Sequence, residues 1–361
     1  MMTLSVAGVQ INILLLLFIG LAVGILSGFV GIGGGYLVTP ALIILGLPAN
    51  LAVGTSMAWI VGNSIVGTLR HRQMGNVDVK LGLVMIAGTV CGVEVGVRLL
   101  NMIKDGELAS AIILSVLIVV LLVVGLPIFR EVRGRKAQLD DILRSEGKLP
   151  PAMRSSSMGR RLQGLNIPPV ISFAKSRVTV SLWVILSIAF VAGILAGFVG
   201  VGGGLIMLPS LIYLIGLPSF MAVGTGTFQI IFSASFGCVR HTTSGNVIIL
   251  IAFLMLLGSS IGTQFGALIT QYVRGISMRY VLIISILLCV VGSILKVADL
   301  VLAVPPPWLQ KCAVVVTFGG IGLVVVIITA LFVLAIRYRH GLTVPAWVKA
   351  LVSREEESQS V

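Results

Sequence analysis

The chain has 361 residues, of which 57% are hydrophobic and only 10% are charged, and its mean hydropathy is +1.14. A soluble globular protein carries about 25% charged residues, so this composition excludes an ordinary soluble protein and indicates a polytopic helical membrane protein. The formal net charge of +13 does not indicate nucleic-acid binding, because the basic residues lie in loops beside apolar runs, as they do in cytoplasmic loops of membrane proteins.

The apolar runs predict an all-α fold of membrane helices. The first run is interpreted as a retained helix, because no positively charged region or small-residue cleavage site accompanies it. The predicted segments are residues 11–32, 35–47, 51–70, 80–101, 109–129, 179–201, 204–216, 220–240, 246–270, 277–297 and 311–336. Most reach the ~20 residues that a spanning helix needs. Segments 35–47 and 204–216 reach only about 20 Å, which predicts half-helices or spans in a thinned bilayer.

These segments divide the chain into two membrane repeats with a polar insertion between them. The predicted parts are repeat 1 at 11–130, a basic linker at 131–178, repeat 2 at 179–298, a final transmembrane helix at 311–336 and a tail at 337–361. The basic bias of the linker and the tail predicts that both are cytoplasmic, which puts the N-terminus outside. Each repeat has an odd number of predicted crossings, so the two repeats face opposite ways, as in an inverted-topology duplication.

Each repeat contains the same glycine-rich stretch, GILSGFVGIGGG at Gly24–Gly35 and GILAGFVGVGGG at Gly193–Gly204. Clustered glycines break a membrane helix and leave backbone groups unpaired, which is tolerated only where protein or a water-filled cavity surrounds them. Matching breaks in two halves indicate the binding site of a transporter built from repeats. Other motifs recur in the same order, namely AVGT ending at Thr55 and Thr225, Arg-His at Arg70-His71 and Arg240-His241, and Gly-Asn-Val from Gly75 and Gly245.

These motifs, which occur in order and at matching spacing in both halves, resemble the TauE/SafE family of sulfite exporter-type permeases. The resemblance covers roughly residues 11–300 and excludes the linker, which is longer and more charged than the family pattern. It implies an inner-membrane permease for small, mostly sulfur-containing anions. Sulfite, thiosulfate and organosulfonates are the candidate substrates. The protein is expected to be a multi-pass protein of the cell inner membrane.

A small oxyanion inside a membrane needs hydrogen-bond donors, and unwound glycine backbone supplies N–H groups that a ligand can approach closely. The candidate backbone ligands are Gly31, Gly33, Gly34, Gly35, Gly200, Gly202, Gly203 and Gly204. The alternative role for such glycines is close helix packing. The candidate side-chain ligands are Thr55, Ser56, Asn63, Thr225, Thr227 and Gln229. The alternative role for the hydroxyls is a bond to their own helix backbone.

The charged candidates lie toward the ends of the same helices. Arg70, His71, Arg240 and His241 are predicted to attract an anion at the two entrances or to carry a proton, with interfacial anchoring as the alternative. Glu94 is predicted to lie deep in a span with Arg98 on the same helix face. We expect Glu94 to modulate coupling, and normal transport by Glu94→Gln across pH would contradict this.

The sequence therefore predicts a secondary permease that moves a small anion by alternating access, with a co-transported proton as a further expectation. The sequence contains no GxxxxGK[ST] motif, so nothing in it indicates that ATP is used. Two other classes were weighed, a non-transporting scaffold or sensor that uses the linker, and an intramembrane enzyme, for which an HExxH motif and facing aspartates are missing. We expect no catalytic residue, no metal site and no cofactor; the expected partners are the anion, a co-transported proton and the lipid bilayer, and nucleic acid is not expected.

Overall fold

The computed structural model describes residues 3–6, 9–103, 106–144, 168–176, 178–273, 275–302, 304–340 and 342. Over these residues the chain is mainly α-helical, and nine of the described helices are long and apolar enough to cross a membrane. This confirms the predicted polytopic helical membrane protein. The centre of the predicted linker, residues 145–167, and the end of the predicted tail, residues 343–361, lie outside the described residues.

The described helices follow the predicted order. In chain order they are α1 Ile13–Val30, α2 Gly35–Ile44, α3 Ala49–Gln73, α4 Val79–Met102, α5 Glu107–Arg144, α6 Leu182–Val199, α7 Gly204–Pro209, α8 Ser219–Thr243, α9 Ile249–Ile269, α10 Gly275–Val301 and α11 Pro307–Arg339. Helix α7 continues as a π-helical turn at Ser210–Ile215. Both segments that were predicted to be short are short, because clustered glycines precede each one and a Gly-Leu-Pro sequence follows it.

The structure departs from an all-α fold at two β-hairpins. Strands β1 Thr3–Val6 and β2 Val9–Asn12 pair antiparallel immediately before α1, and β3 Val170–Phe173 and β4 Val178–Ser181 pair in the same way immediately before α6. The hydropathy pattern did not indicate them, because four-residue strands are too short to show alternation. Each repeat thus begins with a hairpin, and the described ends of the predicted linker belong to α5 and to the second hairpin.

The first helix of each repeat packs along the fourth helix of the other repeat, and glycines form both contacts. A Cβ atom on Gly92 of α4 would lie 2.1 Å from the carbonyl oxygen of Phe190 in α6. In the equivalent contact, a Cβ atom on Gly262 of α9 would lie 2.2 Å from the carbonyl oxygen of Leu21 in α1. Such small residues let two backbones meet directly. The two repeats therefore exchange helices and share one core.

Helices α3 and α8 cross at the centre of the bundle and run antiparallel. Near one end of the contact a Cβ atom on Gly54 would lie 2.0 Å from the carbonyl oxygen of Asn246, and near the other a Cβ atom on Gly224 would lie 2.2 Å from that of Asn76. These four residues are the repeat counterparts of one another. The contact between α3 and α8 is therefore made by equivalent residues at both of its ends.

The glycine contacts between exchanged helices predict a sharp difference between two alanine substitutions. We expect Gly92→Ala to cost about 1–3 kcal/mol, because α4 and α6 must separate to admit the methyl group. Gly319→Ala is the matched control, because a Cβ atom there would meet nothing within 4 Å. Thermal unfolding in detergent should show a lower melting temperature for Gly92→Ala alone, and equal melting temperatures would contradict the described packing.

Candidate functional site

The two glycine breaks adopt the same backbone conformation. Gly31, Gly33 and Gly34 have φ angles of 78°, 80° and 78°, and the equivalent Gly200, Gly202 and Gly203 have 77°, 73° and 83°. These angles lie in the left-handed region, which residues with a side chain adopt at a cost. Each repeat therefore ends its first helix with a left-handed glycine and starts the following short helix after two more.

The two breaks lie against each other in the interior of the protein. A Cβ atom on Gly35 would lie 2.6 Å from the carbonyl oxygen of Gly200, and one on Gly204 would lie 2.3 Å from that of Ile32. The side chains of Ile60 in α3 and Ile230 in α8 border both breaks. All residues of the two breaks are buried. Two stretches that are far apart in sequence thus form one compact site, which we call the break pair (residues 31–35 and 200–204).

Side chains cap the carbonyl oxygens at and around the break pair. Asn63 donates to the oxygen of Gly33 at 3.5 Å, and its repeat counterpart Ser233 donates to the oxygen of Gly202 at 3.1 Å. Ser56 donates to the oxygen of Gly200 at 3.0 Å, across the two repeats. Because these groups are used in structural bonds, they are less available to a ligand than the sequence suggested.

The same capping extends into the adjoining helices. Pro40 has no N–H group, so the carbonyl oxygen of Tyr36 lacks its helical partner. The thiol of Cys289 in α10 donates to that oxygen at 3.1 Å.

The amide groups of the break pair are in the opposite situation. Gly31 and Gly200 donate their N–H groups to the preceding helix at 2.7 Å and 2.9 Å. Among the described residues, the N–H groups of Ile32, Gly33 and Gly34, and of Val201, Gly202 and Gly203, donate no hydrogen bond. Buried backbone N–H groups without a partner are rare in proteins. The break pair therefore has six open donors, whereas three of its carbonyl oxygens, those of Gly33, Gly200 and Gly202, are capped by side chains, and this excess of open donors attracts a hydrogen-bond acceptor such as an oxyanion.

Thr55 and Thr225 bind the opposite repeat rather than facing the break pair with a free hydroxyl. The hydroxyl oxygen of Thr225 accepts from the backbone N–H of Asp78 at 2.9 Å, and that of Thr55 accepts from the N–H of Ile248 at 3.0 Å. Asp78 and Ile248 are the N-cap residues of α4 and α9. These threonines therefore satisfy N–H groups that helix ends leave unpaired. Thr227 bonds the carbonyl oxygens of Val223 and Gly224 in its own helix, which is the alternative considered above.

Gln229 differs from the other candidate side chains. It is fully buried, and neither Nε2 nor Oε1 has a hydrogen-bond partner in the described part of the chain. Its counterpart in the first repeat is Trp59, which donates from Nε1 to the hydroxyl of Ser259 at 3.0 Å. Gln229 is thus the predicted side-chain ligand that keeps its full hydrogen-bonding capacity.

His71 and His241 do not line entrances, which corrects their predicted position. Both are fully buried, and their Nε2 atoms lie 3.2 Å from the carbonyl oxygen of Gly28 and 3.0 Å from that of Gly197. Those oxygens belong to the last turns of α1 and α6, where carbonyl groups have no helical partner. Each imidazole therefore caps the helix that leads into the break of its own repeat.

Glu94 pairs with Arg98 and is only partly buried within the bundle. The Glu94 side chain is 24% exposed, and it also binds Arg240 at 2.7 Å. This joins α4 to the end of α8 at the surface of the bundle. Arg70, the counterpart of Arg240, donates to Gln73 at 3.3 Å, because Gln264 stands where the acidic partner would be.

The structure also contains polar residues that sequence reasoning missed. Ser27 and Thr263 bond the amide of Asn63, and Thr39 bonds Ser56 at 2.9 Å. Arg279 is buried, where it pairs with Glu131 and lies over the ring of Tyr213 at 5.4 Å, and it lines a small cavity together with residues of α7 and the π-helical turn. No local motif marks these residues, since each partner lies on another helix. The described residues contain no cluster that could hold a metal ion.

Comparison with known proteins gives a consistent result. A family model described as "Sulfite exporter TauE/SafE" matches residues 16–295. The probable membrane transporter proteins YunE and YdhB of Bacillus subtilis are both 26% identical, over 78% and 74% of this chain and 96% and 94% of their own. The probable membrane transporter protein MJ0441 of Methanocaldococcus jannaschii is 25% identical over 74% of this chain and 90% of its own. No solved structure gives a significant match.

The bond of Thr225 to the opposite repeat predicts a structural effect of its substitution. We expect Thr225→Val to cost about 1–3 kcal/mol, because the buried N–H of Asp78 loses its acceptor, whereas Thr225→Ser keeps that acceptor. Thermal unfolding of the two variants in the same detergent separates these outcomes. A valine variant that melts like wild type but no longer responds to an anion would instead show that Thr225 is a ligand.

Proposed function

The chain belongs to the sulfite exporter TauE/SafE family of membrane transporters, and we propose that it is a secondary permease for a small sulfur-containing anion such as sulfite, thiosulfate or an organosulfonate. The anion is proposed to bind at the break pair and to cross by alternating access. The cell inner membrane is the proposed location. The predicted proton coupling belongs to the same proposal.

The polarity of the break pair is the observation that carries this proposal. The carbonyl oxygens of Gly28, Gly33, Gly197, Gly200 and Gly202 each lie within hydrogen-bonding distance of a side chain. Six N–H groups of the break pair, those of Ile32, Gly33, Gly34, Val201, Gly202 and Gly203, donate no hydrogen bond in the described structure. In a low-dielectric interior, such an excess of open donors favours a negative solute. Because no lysine or arginine belongs to the break pair, the anion is held by partial charges and is able to leave.

Symmetry of the contacts around the break pair supports alternating access. The histidine caps and the threonine bonds occur twice, once toward each end of the crossing of α3 and α8. Two equivalent closures on opposite sides of one site are what a transporter needs if it opens to one face at a time. Glu94 keeps its predicted role in coupling, now as the partner that ties Arg240 to α4.

The contacts between loops support the proposed orientation. Lys80 donates to the carbonyl oxygen of Ser172 at 3.3 Å, and Arg339 donates to that of Gln271 at 3.4 Å. Each contact joins two segments that the charge distribution assigns to the cytoplasm. On the face assigned to the outside, Asn101 donates to Ser244 at 3.1 Å. We therefore propose that the N-terminus lies outside and that the linker and the C-terminus are cytoplasmic.

The function is tested by ligand binding followed by transport. In detergent, sulfite, thiosulfate, sulfate, sulfoacetate and taurine are compared, and a true ligand should raise the melting temperature with its concentration. Proteoliposomes then measure uptake of the radiolabelled anion that binds. No stabilisation and no uptake with any of these anions would contradict the proposal.

The break pair predicts which glycine is essential for that uptake. Gly204→Ala should reduce uptake by about tenfold or more, the factor that 1.4 kcal/mol represents, because its methyl group pushes the second break away from Ile32. Gly226→Ala is the matched control, since a Cβ atom there would meet nothing closer than 3.9 Å. Equal uptake by the two variants would argue against binding at the break pair.

A further inference from the structure

The two sides of the break pair are built differently at one position. Trp59 in α3 and Gln229 in α8 each follow the Gly-Thr of the AVGT motif at the same spacing, and both are fully buried. The sequence places an indole in one repeat and a carboxamide in the other, although the surrounding motifs are shared. Of these two residues, Trp59 has a bonded polar group, whereas the amide of Gln229 has no partner among the described residues.

The first-repeat side is filled. The indole N–H of Trp59 is bonded to Ser259, and the ring tip packs on Gly34, where a Cβ atom would lie 2.9 Å from the indole Cη2. A Cβ atom on Gly34 would also lie 2.7 Å from Val23. The polar group of this side chain is satisfied, and the space beside the glycine turn is occupied.

The second-repeat side has smaller neighbours and no equivalent bond. Ala192 stands where the first repeat has Val23, and a Cβ atom on Gly203 would come no nearer than 3.2 Å to any atom. Thr89 replaces Ser259, and its hydroxyl donates to Met85 and Ile86 of its own helix. A partner like the one that Trp59 has is therefore missing for Gln229 among the described residues.

Each polar group of a buried amide that lacks a hydrogen-bond partner destabilises the folded protein. Gln229 has two such groups, an NH₂ donor and a carbonyl acceptor. The N–H groups of Val201, Gly202 and Gly203 lie in the break of the same repeat and are three further open donors. A ligand that satisfies this whole set must offer several acceptor oxygens and also one donor of its own.

We propose that the anion binds on the second-repeat side of the break pair, against Gln229, and that the preferred substrate is a singly charged oxyanion that carries an O–H or N–H group. Nε2 of Gln229 donates to one oxygen of the anion, and Oε1 accepts its hydrogen. A fully ionised oxyanion places an oxygen against Oε1, and the two acceptors repel each other. Hydrogensulfite and hydroxyalkylsulfonates have the required chemistry, whereas sulfate lacks it near neutral pH. This inference rests on the proposed function and specifies its substrate class.

The test compares matched anions on the purified full chain. Isethionate and ethanesulfonate differ by one hydroxyl, so wild type should bind isethionate about tenfold more tightly, the factor expected for one net hydrogen bond of about 1.4 kcal/mol. Gln229→Leu should bind both anions equally. In proteoliposomes, sulfite uptake by wild type should rise as the pH falls and hydrogensulfite forms, and Gln229→Leu should lose about tenfold of that uptake.

Two further measurements separate ligand binding from a structural role. Without added anion, Gln229→Leu should melt at the same or a higher temperature than wild type, because it removes an unsatisfied amide. Trp59→Phe, which removes the indole N–H of the other repeat, should keep the preference for isethionate. A lower melting temperature of Gln229→Leu, an unchanged anion preference in that variant, or equal affinity of wild type for the two sulfonates would overturn the inference. If wild type responds to no sulfur anion at all, the proposed function fails and the inference fails with it.

Discussion

The structure depends on one constraint, that backbone polar groups inside a membrane protein have no water to bind. Two helices are broken at left-handed glycines, and the polar groups set free by these breaks lie next to each other in the interior. Side chains of α3, α8 and α10 bond carbonyl oxygens in and beside the breaks, but they do not bond the N–H groups. These amide donors without partners make the centre of the bundle suited to an anion.

Exchange of helices between the repeats explains why the breaks meet. Each first helix packs on the fourth helix of the other repeat through glycines, so the C-terminal end of α1 and that of α6 are brought to the same place. Thr55 and Thr225 reinforce the exchange by holding the start of the opposite fourth helix. A movement of one repeat therefore changes contacts in both, which is a suitable basis for closures that alternate.

The two repeats differ in their polar and charged residues at several equivalent positions. Glu94 binds Arg240 on one side, while Gln264 stands in the equivalent place near Arg70. Arg279 pairs with Glu131 and contacts Ser219 at the start of α8, where the first repeat has Ala49. Trp59 and Gln229 differ in the same way beside the breaks. A duplicated frame repeats the same contacts twice, and unequal residues within it make the two sides of the break pair chemically different.

The sequence by itself determined the membrane class, the order of the helices, the position of both breaks and the shortness of the two helices that follow them. These features are local, because hydropathy and the freedom of glycine at positive φ belong to the segment itself. The tertiary structure decided which candidate groups are already bonded. Thr225 and Thr55 find their partners 147 and 193 residues away, and no pattern within one segment encodes such a distance. For the same reason only the folded chain singles out Gln229, because its amide is open only if no neighbouring helix supplies a hydrogen-bond partner.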